Sequence, residues 1–203
     1  MSEYNKFDVN KVIFLGKGGV GKTNLIRIST GQNFDSSLFS TTYVSSVEKI
    51  FKYGKKRIIF NLWDTIGQEK YKAITRLFFK NSKIVIYVYD ITNRDSFEQI
   101  EYWIKEVENE IGNDYIMAIV GNKNDLYTEE QVTEEEGQKY AKMKKCKFKL
   151  TSAKNDPLGF IQFLESLFVD YLNKIEGNYI TQNQSKNITI NSGDNKKKQA
   201  NCC

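Results

Sequence analysis

Six short apolar runs alternate with segments of helical periodicity along the chain. The fourth and fifth runs are almost unbroken, which suits strands buried on both faces of a parallel sheet. A turn that contains Gly54 separates the second run from the third, as expected of a β-hairpin. The predicted strands are residues 12–15, 44–51, 57–63, 84–89, 116–120 and 146–150, and the predicted helices are residues 24–28, 96–110, 133–144 and 157–174.

Strands that alternate with helices predict an α/β fold whose parallel strands are joined by right-handed crossovers. The periodicity stops after Gly177, where the chain becomes rich in Asn, Gln, Ser, Thr and Lys, a composition typical of disorder. We therefore expect a flexible N-terminus at residues 1–8, one folded domain at residues 9–176 and a disordered tail at residues 177–203.

Composition narrows the class of protein. The longest strongly apolar run, residues 84–89, is far too short to span a membrane, and nothing near Met1 resembles a signal peptide. Two of the three cysteines lie at the very end of the chain, so no disulfide framework is expected. The tail from Gly177 onward carries +3 of the net charge of +5, and the +2 that remains on the body is too mild to indicate nucleic-acid binding. These features favour a cytosolic protein.

The segment from Gly16 to Thr23 fits the phosphate-loop pattern G-x-x-x-x-G-K-[ST]. Glycines let such a loop turn through left-handed backbone angles and approach phosphate oxygens closely. Lys22 would reach the β- and γ-phosphates, and the Thr23 hydroxyl would hold Mg²⁺. The loop lies between a predicted strand and a predicted helix, where backbone N–H groups bind anions. The expected phosphate-binding residues are Gly16, Gly18, Gly19, Val20, Gly21, Lys22 and Thr23.

Asp125 indicates which base the nucleotide carries. It ends the segment Asn122-Lys123-Asn124-Asp125, which follows the predicted strand 116–120. A carboxylate there can accept hydrogen bonds from both the ring N–H and the exocyclic amine of guanine, and adenine lacks that pair of donors. An ATP-using phosphotransferase is compatible with the phosphate loop but does not account for Asp125.

Taken together, these motifs resemble the Ras superfamily of small GTPases over about residues 9 to 175. Asp64-Thr65-Ile66-Gly67-Gln68-Glu69 is similar to the family's switch II element, and Thr41 is similar to its switch I threonine. Thr151-Ser152-Ala153-Lys154 is similar to the loop that backs the guanine. Among subfamilies, Trp63-Asp64-Thr65, Phe78-Phe79 and residues 87–92 most resemble Rab proteins.

The resemblance implies a P-loop small-GTPase fold with a six-stranded, mostly parallel sheet, and GTP, GDP and Mg²⁺ as ligands. Asp64 would orient Mg²⁺ through water, and Thr41 would join Thr23 on the metal when a γ-phosphate is present. Gly67 would contact the same phosphate, while Gln68 would position the attacking water and share the catalytic role with Lys22. The nucleotide-binding residues implied beyond the phosphate loop are Thr41, Asp64, Gly67, Asn122, Lys123, Asp125, Ser152, Ala153 and Lys154.

A family member of this kind is a GTP/GDP switch that recruits effectors in membrane and vesicle transport. No arginine lies between Asn33 and Thr41, where a built-in arginine finger would be expected. We therefore expect slow intrinsic hydrolysis, on the order of 10⁻⁴ to 10⁻³ s⁻¹ as in Ras, until a GTPase-activating protein assists. The resemblance also implies an exchange factor and a monomeric protein.

Two stretches depart from the Rab pattern. After the switch I threonine the family usually has Ile-Gly-Val-Asp-Phe, whereas this chain has Thr42-Tyr43-Val44-Ser45-Ser46, so we expect an effector surface of its own. Ile66 stands where the family normally has alanine, and a branched side chain could stiffen switch II. The alternatives are that Ile66 simply packs under the loop, or that it makes the protein a poorly hydrolysing, nearly locked GTP-binding protein.

Cys202-Cys203 resembles the double geranylgeranylation site of Rab proteins. Stable membrane anchoring generally takes two signals, and two prenyl groups would supply them. The resemblance then implies a prenylation escort protein, a dissociation inhibitor, and a location on the cytosolic face of an intracellular membrane with a soluble cytosolic pool.

Overall fold

The computed structural model describes residues 10–38, 41, 43–66 and 76–191, and it describes side chains as far as Gly177. The strands are β1 Asn10–Leu15, β2 Ser45–Tyr53, β3 Lys56–Asp64, β4 Ser82–Asp90, β5 Ile116–Asn122 and β6 Lys147–Leu150. The helices are α1 Lys22–Ser29, α2 Arg94–Ile111, α3 Glu134–Met143 and α4 Pro157–Asn191, with a short 3₁₀ helix at Asn124–Glu129.

The strands form a six-stranded sheet in the order β2-β3-β1-β4-β5-β6. The β2–β3 pair is antiparallel, and the other neighbouring pairs are parallel. Gly54, in the turn of the β2–β3 hairpin, has φ 58°, a left-handed conformation that glycine adopts without strain. The predicted α/β fold with a mostly parallel sheet is confirmed. Its parallel strands bring their carboxyl ends to one edge, where ligands bind in such sheets.

Helices cover both faces of the sheet. On one face α1 and α4 enclose a core in which the rings of Phe60 and Phe168 stack at 3.8 Å. On the other face α2 and α3 pack on a second core, whose largest side chain is Trp103. Most of β4 is buried because both cores contact it, which explains its unbroken apolar sequence.

Polar caps set the starts of the helices. Thr133 and Glu136 form the capping box that starts α3, and Asn93 starts α2 by accepting from the Ser96 N–H at 3.1 Å. Asp156 precedes Pro157 and accepts from the Gly159 N–H at 3.1 Å. The side chains of Thr133, Asn93 and Asp156 each accept from a backbone N–H of the first helical turn, which has no partner within the helix.

The last helix is longer than predicted. The expected end was residue 174, but α4 continues past Gly177 to Asn191. Extending an existing helix costs far less than nucleating one, and the segment contains no proline. The predicted lipidation site and the predicted N-terminal arm at residues 1–8 lie outside the described residues, and disorder at the end of the tail stays a prediction. None of the described helices is long and apolar enough to cross a membrane.

Candidate nucleotide site

A cleft of about 540 Å³ opens where the phosphate loop meets the loops that follow β5 and β6. It lies at the carboxyl edge of the sheet, as the topology predicts. Most of the residues predicted from the sequence to bind nucleotide line it, together with six that were not predicted. The lining residues are Gly18, Gly19, Gly21, Lys22, Thr23, Asn24, Phe34, Asp35, Ser36, Leu38, Thr41, Asn122, Lys123, Asp125, Leu126, Ala153 and Lys154.

The glycines of the phosphate loop are required by its conformation. Gly16 has φ 147°, and a Cβ there would lie 2.1 Å from the Val88 carbonyl oxygen. Gly21 has φ 96°, and a Cβ there would lie 2.3 Å from the Asn122 amide nitrogen. No residue with a side chain fits either position without moving β4 or Asn122. The loop therefore packs against two strand ends and leaves its concave side to the cleft.

Lys22 is buried inside the phosphate loop. Its ammonium donates to the Gly16 carbonyl at 2.9 Å and to the Lys17 carbonyl at 3.0 Å. Burial lowers the pKa of Lys22 to about 8, and the nearby Asp64 charge opposes that shift. A buried cation inside a glycine-rich loop that precedes a helix is a strong site for phosphate oxygens.

Three oxygen-bearing side chains, those of Thr23, Thr41 and Asp64, meet next to the phosphate loop. The Thr23 hydroxyl donates to Asp64 Oδ2 at 2.7 Å, and Thr41 Oγ1 lies 2.8 Å from Thr23 Oγ1. Thr41 Oγ1 also donates to Asp64 Oδ2, over a longer 3.4 Å. Thr41 is thereby brought to the phosphate loop and to the end of β3.

This cluster fits a magnesium ion. Asp64 Oδ1 is buried and has no hydrogen-bond partner among the described residues. Burial raises the pKa of the Asp64 carboxyl, against the Thr23 hydrogen bond and the Lys22 charge, which lower it. A buried carboxylate with an unused oxygen, beside two hydroxyls, offers the hard oxygen ligands that Mg²⁺ prefers. The donor set at Thr23, Thr41 and Asp64 therefore suits the metal that phosphate chemistry requires.

Asn122 joins the two ends of the cleft. Its side-chain nitrogen donates to the Val20 carbonyl at 2.8 Å, and its side-chain oxygen accepts from the Ala153 N–H at 3.1 Å. Val20 belongs to the phosphate loop, and Ala153 belongs to the loop after β6. Asn122 thus acts on the site through the backbone of both loops.

Asp125 is held by the same loop after β6. The Ser152 hydroxyl donates to Asp125 Oδ1 at 2.5 Å and accepts from the Lys154 N–H at 3.1 Å. Lys123 has a left-handed φ of 68°, and its ammonium pairs with Asp90 Oδ2 at 2.6 Å. A carboxylate oriented in this way has the geometry to accept two donors from a purine edge. Ser152 does not line the cleft itself and serves to orient Asp125.

The structure brings some of the predicted site residues together at the cleft, whereas others lie outside the part of the chain that it describes. The phosphate loop, Thr41, Asp64 and Asp125 come together around one cleft, whereas Gly67, Gln68, Cys202 and Cys203 lie outside the described residues. The lining residues that sequence reasoning missed belong to no motif, although Asn24 directly follows Lys22 and Thr23. These missed residues are Asn24, Phe34, Asp35, Ser36, Leu38 and Leu126.

The two departures from the Rab pattern differ in exposure. Ile66 is only 5% exposed, so its branched side chain is packed inside the protein. Tyr43 is 70% exposed, and Ser46 lies exposed on β2 opposite Trp63 of β3. Tyr43 and Ser46 are therefore on the surface, available to a partner, whereas Ile66 is interior.

A model of the Ras family matches residues 11–176 of the chain. Ras-related protein Rab-21 of Homo sapiens is 38% identical over 160 residues, which cover 79% of this chain and 69% of that protein. Rab-21 of Bos taurus is 38% identical over 160 residues, with 79% and 70% covered. Rab-21 of Geodia cydonium is 38% identical over 165 residues, which cover 81% of this chain and 70% of that protein. On this similarity and the fold, the chain belongs to the Ras family, as a Rab-type small GTPase that binds GTP or GDP with Mg²⁺ and hydrolyses GTP.

Proposed function

We propose that this GTPase is a switch in membrane trafficking that recruits effectors while GTP is bound and resets by slow, partner-stimulated hydrolysis. The observation that carries the proposal is the meeting of Thr41 with Thr23 and Asp64, because it links a surface loop to the phosphate loop. A loop fastened through the metal and phosphate site responds to the loss of one phosphate, and its release is the usual switch of such proteins.

Different groups of residues would bind the phosphates, the base and the metal. The phosphate-loop amides and Lys22 would bind the phosphates, and Asp125 with its Ser152 support would select guanine. Thr23, Thr41 and Asp64 would hold Mg²⁺, which when bound neutralises charge on the phosphates. Gly67 and Gln68, as the sequence suggests, would sense the γ-phosphate and position the attacking water.

Paired titrations with GTP and ATP in the presence and absence of Mg²⁺ test guanine selection. We expect tight, Mg²⁺-dependent GTP binding and far weaker ATP binding, because ATP cannot supply both donors to Asp125. Tighter ATP binding would overturn the proposal.

Thr41→Ala tests the switch. It should weaken binding of a non-hydrolysable GTP analogue and leave the affinity for GDP near the wild-type value.

The alternative of a nearly locked GTP-binding protein is not favoured. It rests on Ile66, whose burial suits a packing role. Ile66→Ala separates the two effects: losing a buried isoleucine should cost about 2 to 4 kcal/mol of unfolding free energy. Single-turnover GTP hydrolysis, with and without an activating protein, should stay within about threefold of the wild type. A hydrolysis rate that rises tenfold or more in the variant would revive the locked model.

Membrane attachment is proposed to run through Cys202 and Cys203. Prenylation of both cysteines by an escort-dependent transferase would place the monomeric GTPase on the cytosolic face of an intracellular membrane. A dissociation inhibitor would maintain a soluble pool. Changing both cysteines to serine should move the protein entirely to the soluble fraction of cells, measured by fractionation. Continued membrane association of that variant would contradict the proposal.

A further inference from the structure

Asn24 is hydrogen-bonded to the backbone of Asp35 in both directions. Its amide nitrogen donates to the Asp35 carbonyl at 3.0 Å, and its amide oxygen accepts from the Asp35 N–H at 2.9 Å. Asn24 lies on α1, directly after the phosphate-loop threonine, whereas Asp35 lies on the loop that leads from α1 to β2. One side chain therefore satisfies both backbone groups of a loop residue, as a neighbouring strand would.

The same loop has a second fastening on α1. Arg27 Nε donates to the Asn33 carbonyl at 3.3 Å, and the Arg27 guanidinium lies 3.9 Å from the Asp35 carboxylate. Asn24 and Arg27 are three residues apart, so they lie on one face of the helix. The Arg27 contacts are at the surface and weaker, because solvent screens them. Asn24 is thus the main attachment of the loop to the helix.

The fastened segment is a wall of the nucleotide cleft. Phe34, Asp35 and Ser36 line the cleft, as does Asn24. Thr41 lies further along the chain and is held separately, through Thr23 and Asp64. A nucleotide that leaves past this wall requires the wall to move, and the Asn24 bonds oppose that movement.

We propose that Asn24 is a positioning residue that sets the lifetime of the bound nucleotide by holding the wall at residues 34–36 closed. The proposal rests on the guanine-nucleotide binding proposed above. Losing two partly buried neutral hydrogen bonds should shift the equilibrium between the closed and the open wall roughly tenfold toward the open state. This figure takes the lower part of the usual range for the net stabilisation by such bonds. Neither bond involves Thr41, so the effect is the same for GDP and for a GTP analogue.

The test is nucleotide release from the full chain loaded with fluorescent N-methylanthraniloyl GDP or the matching non-hydrolysable GTP analogue, chased with unlabelled nucleotide in Mg²⁺. Asn24→Ala should release both about tenfold faster than the wild type. The matched control is Asn173→Ala, which removes another helical asparagine, whose amide oxygen accepts from the Tyr53 hydroxyl at 3.0 Å. It should release at the wild-type rate. Thr41→Ala should accelerate release of the GTP analogue and leave release of the GDP derivative unchanged.

Hydrogen exchange separates positioning from general destabilisation. In Asn24→Ala, exchange should rise in residues 33–37 and stay unchanged in β4 and β5. Wild-type release rates in Asn24→Ala, or exchange that rises throughout the sheet, would overturn the inference. If Asn24→Ala does not fold, Asn24→Ser, whose side chain is too short to bond both Asp35 groups, should also release both nucleotides faster, and release from it at the wild-type rate would overturn the inference. A wild-type protein that retains neither nucleotide would instead overturn the proposed function.

Discussion

Replacing Asn122 with alanine should destabilise the fold and the nucleotide site together. The side chain is 1% exposed, and it bonds the Val20 carbonyl at 2.8 Å and the Ala153 N–H at 3.1 Å. These two groups belong to loops that follow β1 and β6, so one amide joins distant parts of the chain. The alanine variant leaves both backbone groups buried without their partner.

The expected loss of stability follows from the two buried backbone groups that the variant leaves without a partner. A buried polar group without a partner costs about 1 to 3 kcal/mol, which gives about 2 to 6 kcal/mol for two groups. A water molecule that enters the vacated space can recover part of the cost, so we expect about 2 to 4 kcal/mol. That is a large share of the roughly 5 to 15 kcal/mol by which such a domain is stable.

Chemical denaturation of the GDP- and Mg²⁺-loaded protein measures this loss, provided that it is repeated over a range of GDP concentrations. Bound GDP stabilises the folded protein by an amount that grows with the logarithm of the GDP concentration. A variant with a weakened site therefore needs a higher GDP concentration to gain the same unfolding free energy. Gln138→Ala is the control, because its exposed bond to Glu134 at 2.9 Å should contribute no more than about 0.5 kcal/mol. If the unfolding free energy of Asn122→Ala stays within about 0.5 kcal/mol of the wild-type value at every GDP concentration, the reasoning is refuted.

Two further predictions concern the phosphate loop and acid stability. Gly16→Ala should yield no folded protein by circular dichroism, because its Cβ would lie 2.1 Å from a backbone oxygen, whereas Gly19→Ala meets nothing within 4 Å and should lose only about 1 to 2 kcal/mol for its left-handed backbone. A well-folded Gly16→Ala protein would contradict this account. Hydrogen bonds from Arg94 and the Thr133 backbone lower the pKa of Glu136 from 4.5 to about 2, so its stabilisation is present above pH 4.5 and is lost as the pH falls toward 2. The melting temperature of Glu136→Gln should therefore lie below that of the wild type at neutral pH and converge with it near pH 2; a constant difference would show that the charge plays no part.

Much of the architecture could be predicted because the apolar pattern and the burial have the same cause. The runs at 84–89 and 116–120 are apolar because β4 and β5 contact cores on both faces, and each predicted strand lies within two residues of the observed one. The phosphate loop was recognisable because its glycines are demanded by backbone angles and close contacts. Both signals are local in the sequence.

The features that were missed depend on contacts that no local pattern encodes. Asn24 looks like an ordinary helical residue, and its role arises only when Asp35 folds back against α1. The inward turn of Lys22 onto the Gly16 carbonyl and the pairing of Lys123 with Asp90 likewise need three-dimensional placement. The length of α4 was underestimated because polar composition was taken as an end signal, whereas helix propagation continues through polar residues.

The bonds of the site differ in strength in a way that suits a switch. The Asn122 bonds are buried and join the end of β5 to the loops after β1 and β6, so breaking them costs several kcal/mol on the scale above. Thr41, by contrast, is attached by side-chain hydroxyl contacts that are only partly buried, one of them at 3.4 Å. Such contacts are worth roughly 1 to 3 kcal/mol in total, so the fold itself favours the docked position of Thr41 only modestly. We therefore expect the nucleotide and its metal to supply the rest of the free energy that docks Thr41, and this is the condition for a loop that reports which nucleotide is bound.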